Sequence, residues 1–526
     1  MPILIKNGTV YDGTKNNPIV TDILIDKGII KKIAPNQPTS KMTIIDATGL
    51  CIAPGFIDAH SHNDFFVDKE DSSTPILPFL HQGITTQVVG NCGFSSYGVH
   101  RESVHKDKIG GKLFKATKPG SLLDFIKMTE GKLDVNIVPL VGHGTTRISL
   151  SGYESRELTK YEHAKQLEIL EDNLKAGAFG GSFGLMYVPS MFAPKEELKA
   201  FAEVIKKYDG ILTVHPRACS KVAMGYPLFS KSHIEQGLDE VIEIMEATHV
   251  RTEYSHLIFV GKASWKSVQP MLAKFREERE KGFEIAYDMY PFTFGASVIT
   301  VVLPSWYMKL SEEEKKQKFT RIKLKLLINV TKKLLGIEFS DMIISYIGKD
   351  YPNYEGKTVS EIAKTEKMSE FDLYLKLVDL SEGKGRIMLD KYYNEAIIQK
   401  LMDDELSIFM TDAWYESSGT QNAGAYQAMP YFIQKARERQ LKLAPIIRKM
   451  TGATADRFKI NDRGYIKEGL AADITIFDES AIMVNPLVPN ARPGGIRYVI
   501  VNGEVTLDHG KYLKPKAGKV LRRKVI

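Results

Sequence analysis

The strongest constraint on the fold is a rhythm. Short apolar runs of strand length alternate with segments of helical period, and there are eight such runs. They are FIDAH (56–60), ITTQVV (84–89), NIVPLVG (136–142), a short run near 178–183, ILTVH (211–215), RTEYSH (251–256), FEIAYD (283–288) and LSIFMTD (406–412). Between them, Leu167, Leu170 and Leu174 fall on one helical face. So do Leu198, Phe201, Ala202 and Ile205, then Leu238, Val241, Ile242 and Met245, and then Val268, Met271, Leu272 and Phe275. Strand alternating with helix reads as parallel βα units, and eight strands close a (β/α)₈ barrel. A lysine-rich stretch at about 300–395, before the last strand, reads as a helical insertion.

The two ends of the chain have a different style. ILIKNGTVYDG, DILIDKGIIKKIA and TIIDATGLCIAP alternate apolar and polar residues, and so do GYIKEGLAADITIFD and IRYVIVNGEVTLDHGKYL. Neither end is large enough to bury a sheet face alone, so they are expected to combine into one β-sandwich domain, residues 1–53 with 455–526. Residues 54–454 would form the catalytic barrel. At 43 % hydrophobic and 26 % charged residues, the composition supplies a large core and excludes global disorder.

Composition also narrows the partners. The net charge of +7 comes with lysines such as Lys315, Lys316 and Lys318 on predicted helix faces. A basic stripe interleaved with aromatics is missing, so no nucleic-acid partner is expected. No uncharged apolar stretch approaches membrane-spanning length, so no membrane partner is expected either. Three cysteines, Cys51, Cys92 and Cys219, make no disulfide framework, and the opening MPILIKNGTVYDG lacks a leader pattern. A soluble, cytoplasmic protein acting on a small molecule is the expectation.

Barrel active sites form at the C-terminal ends of the strands. Those ends carry His60 and His62 after strand one, Cys92 after strand two, His215 and His256 ending strands five and six, and Asp412 ending strand eight. These are the side-chain types that bind Zn²⁺ or a similar ion. His60 and His62, two apart on extended backbone, point to the same side. Taken singly, HSH can be a turn, Cys92 a packed small hydrophobe, His215 and His256 core histidines, and Asp412 a helix cap. Their coincidence on one face favours a metal site. His143, in GHGTTR after strand three, is a candidate substrate contact, whereas His81, His163, His233, His249 and His509 read as surface residues. GGSFG (180–184) satisfies G-x-S-x-G with Ser182, but Pro189 follows too soon for the helix a nucleophile elbow needs.

PGFIDAHSHND, the cysteine of GNCGFS, GHGTTR, GLMYVPSMFAPKEEL, VHPRA, SHL, DMYPF and the TD of strand eight occur in that order. GKTVSEIA, KMTGATADRF, RGYIKEGLAADITIFD and GGIRYVIVNGE follow in the insertion and tail. Together they resemble the N-acyl-D-amino-acid deacylases (D-aminoacylases) of the amidohydrolase superfamily. The resemblance implies a zinc-dependent (β/α)₈ barrel with a β-sandwich from both termini. Cys92, His215 and His256 would hold one metal, and His60, His62 and Asp412 would line a second, weaker position. It also implies cleavage of a linear amide bond of N-acyl amino-acid-like compounds, with Asp412 as general base and acid and Tyr187 touching the substrate. Many superfamily members bridge two metals with a carboxylated lysine after strand four. Here the nearest lysine is Lys175, on the preceding helix, which leaves Cys92 as the bridging candidate.

Two positions depart from the pattern. Ile258 follows SHL where relatives that bind an α-carboxylate carry Lys, and SGTQNAGAY stands where they show HPR. Arg147, Arg217 and Lys262 are the candidate replacements, and a cation folded in from the 300–395 insertion is the alternative. Weak activity on simple N-acetyl-D-amino acids is therefore expected. A cyclic amidase of the hydantoinase or dihydroorotase kind, and a barrel retained as a non-catalytic scaffold, are the competing readings.

Overall fold

The computed structural model describes residues 1–67, 69–110, 114–223, 226, 231–308, 310–486 and 488–524. Its centre is an all-parallel sheet of eight strands. These are β1 (Phe56–Asp58), β2 (Ile84–Val89), β3 (Asn136–Gly142), β4 (Gly180–Gly184), β5 (Ile211–His215), β6 (Arg251–Tyr254), β7 (Ile285–Met289) and β8 (Ser407–Phe409). Neighbours in sequence are neighbours in the sheet. The ring closes where Ser61 bridges Ala413 and the Asp412 amide donates to the His60 carbonyl at 3.1 Å. The (β/α)₈ barrel expected from the rhythm is present. All eight strands are buried along their whole length, as a sheet covered on both faces requires.

β4 was the least strand-like run, because glycine weakens an isolated strand. Here glycine is required by packing: a Cβ on Gly180 would lie 1.9 Å from the Ile211 carbonyl oxygen of β5. Strands one, six and eight end earlier than the sequence reading placed them, so His60, His256 and Asp412 lie two or three residues beyond the last residue of their strands. The helices α1 (His143–Ser151) and α2 (Lys195–Lys207) follow β3 and β4. The periodic residues Leu198, Phe201, Ala202 and Ile205 of α2 are buried.

Strands from the two ends of the chain hydrogen-bond into one continuous nine-stranded sheet. Cys51–Pro54 pairs with Ile474–Phe477 at the junction between the two ends. This sheet has its own core of Ile3, Ile5, Ile23, Ile25, Ile474, Ile476 and neighbours. The helix Gly452–Phe458, which the expected boundary at 454/455 divides, packs against β1 and β8 of the barrel.

The insertion differs from its expected all-helical character. It holds the helices Lys318–Leu335, Val359–Glu366 and Glu370–Leu380, but also an antiparallel sheet of Gly295–Val298, Met342–Tyr346 and Arg386–Leu389. Among the described residues, no helix is long and apolar enough to cross a membrane.

Candidate metal centre

Six side chains expected at the strand ends converge at the C-terminal mouth of the barrel. The Cys92 thiol lies 3.3 Å from His60 Nε2, 3.6 Å from His215 Nδ1 and 3.5 Å from His256 Nε2. His215 Nδ1 and His256 Nε2 are 2.6 Å apart. On the other side, Asp412 Oδ1 sits 3.6 Å from His60 Nε2 and 3.7 Å from His62 Nε2. The donors form two overlapping groups, His60 with Cys92 and His256, and His60 with His62 and Asp412. His60 thus stands between the two positions that the resemblance assigned to separate residue sets.

The backbone that aims these groups is left-handed at three of them, and strained at Cys92 and His256. Cys92, His256 and Asp412 have φ of 53°, 35° and 45°, a region that residues other than Gly, Asn and Asp seldom visit. Such conformations cost on the order of 1–3 kcal/mol each and persist where surrounding contacts fix them. The contacts are visible. Asn91 donates to the Val88 carbonyl and accepts from Thr213 Oγ1 at 3.0 Å, which holds the turn before Cys92. Gly93 continues that turn at φ 78°, where a Cβ would meet the Gly184 amide nitrogen at 2.7 Å. The His256 amide donates to Asp288 Oδ1, and the Thr411 amide and hydroxyl donate to Asp58 at 2.9 and 2.8 Å.

The electrostatics fit a cation. Burial pushes the imidazole of His60 down to about 3, and drives His215 and His256 below the ordinary histidine range. Neutral rings present lone pairs. Burial, reinforced by the carboxylates of Asp412 and Asp288, raises the Cys92 thiol well above its usual range, so a thiolate here needs a positive partner. Burial acts to raise the Asp412 carboxyl too, but His62 and His60 beside it hold it below the ordinary range. His60 Nδ1, His62 Nδ1, His256 Nδ1 and Asp288 Oδ2 are buried without a hydrogen-bond partner. Asp288 Oδ2 faces His60 Nδ1 at 3.4 Å. A carboxylate behind a histidine is the usual way to orient a metal-ligating ring. Soft sulfur, imidazole nitrogen and carboxylate oxygen are the donor set that suits Zn²⁺.

The remaining sequence candidates stand elsewhere. Tyr187, half-buried at the rim, brings its hydroxyl to 3.4 Å from His215 Nδ1. His143 is sealed in, with Ser190 Oγ and Glu197 Oε1 each 3.0 Å from a ring nitrogen. Arg147, equally sealed, grips Glu197 at 2.7 and 2.5 Å. Arg217 pairs with Glu240 and donates to the Met191 carbonyl. The expectation that these three are free for substrate is corrected, because each already has its partners inside the protein. Ser182 is no nucleophile: its hydroxyl donates to the Gly90 carbonyl at 2.5 Å and accepts from the Gly93 amide at 2.9 Å. His81 and His233 are buried rather than on the surface. Lys175 is exposed beside Glu171.

Two residues near the centre were missed, Asp288 and Asp58. Both are acids at the C-terminal end of a barrel strand, and that position was the available signal. The aromatic wall was missed as well. Phe114 stacks on His62 at 5.1 Å, and Trp414 meets both, at 5.8 Å from His62 and 4.9 Å from Phe114.

No protein-family model matches the chain. It is 25 % identical to a D-aminoacylase of Alcaligenes xylosoxydans xylosoxydans over 529 residues, which span 99 % of this chain and 97 % of that protein. Along almost its whole length the chain is similar to the D-aminoacylases and N-acyl-D-amino-acid deacylases. The D-aminoacylase likeness extends to the fold. With a TM-score of 0.80, 22 % identity and 99 % coverage of both chains, it matches an N-acyl-D-glutamate deacylase from Bordetella bronchiseptica, solved with zinc and a phosphonate mimic of the tetrahedral intermediate. A D-hydantoinase, covered completely at 15 % identity, is more distant in fold, with a TM-score of 0.57.

Proposed function

We propose that this protein is a zinc-dependent hydrolase of a linear amide bond in N-acyl amino-acid-like compounds, working in the cytoplasm. One observation carries the reading: Cys92, four histidines and Asp412 meet at the mouth of a barrel whose full-length relatives include D-aminoacylases. His60, Cys92, His215 and His256 would hold a tight ion, and His62 with Asp412 and His60 a second, weaker one. A divalent ion supplies Lewis acidity there, polarising the amide carbonyl and lowering the pKa of the attacking water from about 16 towards about 7.

The chain's own residues do the rest. The Asp412 side chain is 24 % exposed, while that of His60 beside it is sealed. That opening lets its carboxylate take a proton from the water and return it to the leaving nitrogen. Asp288 fixes the tilt of His60. Tyr187 on the rim is placed to touch the acyl group. Phe114 and Trp414 cover His62 and exclude water from that side. The three cysteines are free and buried, in keeping with a reducing compartment.

A cyclic-amide hydrolase is the weaker reading, because no lysine stands at the end of β4 and the D-hydantoinase fold is more distant. The deciding experiment offers zinc-loaded and chelator-treated protein N-formyl, N-acetyl and longer N-acyl derivatives of D- and L-amino acids, beside hydantoins and dihydroorotate. Zinc-dependent release of free amine from the linear compounds is expected. Hydrolysis confined to the cyclic compounds, or unaffected by chelation, would overturn the proposal.

A further inference from the structure

An ionised carboxylate brought to this mouth needs a cation that is free to receive it, since a buried unpaired charge costs several kcal/mol. The two arginines that the sequence offers for this role are not free. Arg147 is held by Glu197 and Arg217 by Glu240. The insertion does fold a third arginine towards the mouth. Arg386, on the strand Arg386–Leu389, reaches the loop after β8 and is engaged by Glu416. Its second terminal nitrogen donates to the Ser418 carbonyl at 2.6 Å, and its guanidinium lies over the Tyr346 ring at 5.0 Å.

This pair forms one wall of a pocket lined also by Trp414, Ser297, Thr420 and Asn422. Trp414 belongs to both sites: its ring contacts His62, and its Nε1–H donates to Glu416 Oε1 at 2.6 Å. The Gln421 amide makes no opening for an anion, because it is bound to Glu416 and Gly419 of its own loop. A free carboxylate entering here meets the carboxylate of Glu416 and a guanidinium already taken. A neutral amide, ester or hydroxyl group meets instead a lining that includes the uncharged polar residues Ser297, Thr420 and Asn422.

We infer that this pocket takes an uncharged, hydrogen-bonding group flanking the scissile amide, so that the substrate carries its carboxyl masked as a carboxamide or ester. The inference rests on the proposed amide hydrolysis for the position of the scissile bond alone. Glu416 is then a specificity residue: it cancels the charge with which Arg386 would otherwise attract a free acid.

The test is calorimetry on zinc-loaded protein with N-acetylmethionine and N-acetylmethioninamide, each in D and L forms. In at least one configuration the carboxamide should bind ten-fold or more tightly than the acid. Glu416→Gln, which releases the Arg386 charge, should shift that ratio at least ten-fold towards the acid. Equal or tighter binding of the acid by the parent protein overturns the inference without recourse to any variant. Failure of the carboxamide to bind in either configuration overturns it too, as does an unchanged ratio in a Glu416→Gln protein with a native circular dichroism spectrum. Turnover followed in the same samples reports separately on amide hydrolysis. Selective binding of a carboxamide that is never cleaved would count against the proposed function and leave the pocket's preference standing.

Discussion

Asp412 combines three properties that no other residue of the site shares. It has a left-handed backbone at φ 45°, a side chain partly open to the mouth, and a carboxylate kept ionised by His62 and His60. If it shuttles the proton, Asp412→Asn should lower kcat by about 10²- to 10⁴-fold, with a much smaller effect on substrate binding. Steady-state kinetics on the best substrate check this, and activity within a few-fold of the parent would exclude the role. At this scale the candidate ligands were legible because histidine, cysteine and aspartate at strand ends are costly to place there without a purpose. Asp288 was not legible. Its role depends on reaching sideways from β7 to His60 on β1, and spacing along one strand cannot show that. His143 and Arg147 were misjudged for a related reason. Their partner Glu197 is fifty residues away on α2, and the sequence gives no sign that it reaches back to them.

That contact sets the behaviour of two elements. α1 offers His143 and Arg147, one turn apart, and α2 offers Glu197, all buried beneath the rim. Burial alone would raise the Glu197 carboxyl, but the His143 hydrogen bond and the Arg147 charge outweigh it and bring it to about 2. A depressed carboxyl contributes stability that is present above its unfolded value, near 4.5, and is lost as pH falls towards 2. The contribution is about 3 kcal/mol at 1.4 kcal/mol per pH unit. Urea melts should therefore show the gap between parent and Glu197→Gln widest above pH 5, narrowing by about that amount towards pH 2. A gap constant with pH would contradict the assignment. The elements themselves were readable from their periods, β4 excepted. Its glycines make it the weakest of the eight strand readings until Gly180 is seen against Ile211. The insertion's three strands escaped notice because they are short and lie among lysine-rich helices.

On the scale of the whole molecule, the terminal sheet and the barrel are joined by a polar seam beneath the strands. Asn136 of β3 donates to Asp473 at 2.9 Å, Asn502 donates to Asn136 at 2.7 Å, and buried Arg463 pairs with Asp473. The C-terminal tail adds backbone bonds along the barrel, with Ile137 donating to the Lys519 carbonyl and Leu521 to the Ile137 carbonyl. Breaking one partner of a buried pair costs about 3–5 kcal/mol. Asp473→Ala should therefore lower the melting temperature of the entire chain in one transition. A separate early transition with the barrel signal intact would show that the two parts fold independently. The alternating segments at each end announced a shared β structure, but the seam could not be read, because its members come from three distant stretches. The barrel brings sulfur, nitrogen and oxygen donors together at its mouth, and that they hold zinc is the central claim. X-ray absorption at the zinc edge of the reconstituted protein tests it most directly. We expect a sulfur scatterer at about 2.3 Å beside nitrogen and oxygen neighbours, lost together with most of the bound zinc in Cys92→Ala. Zinc bound at full occupancy with no sulfur neighbour would contradict it.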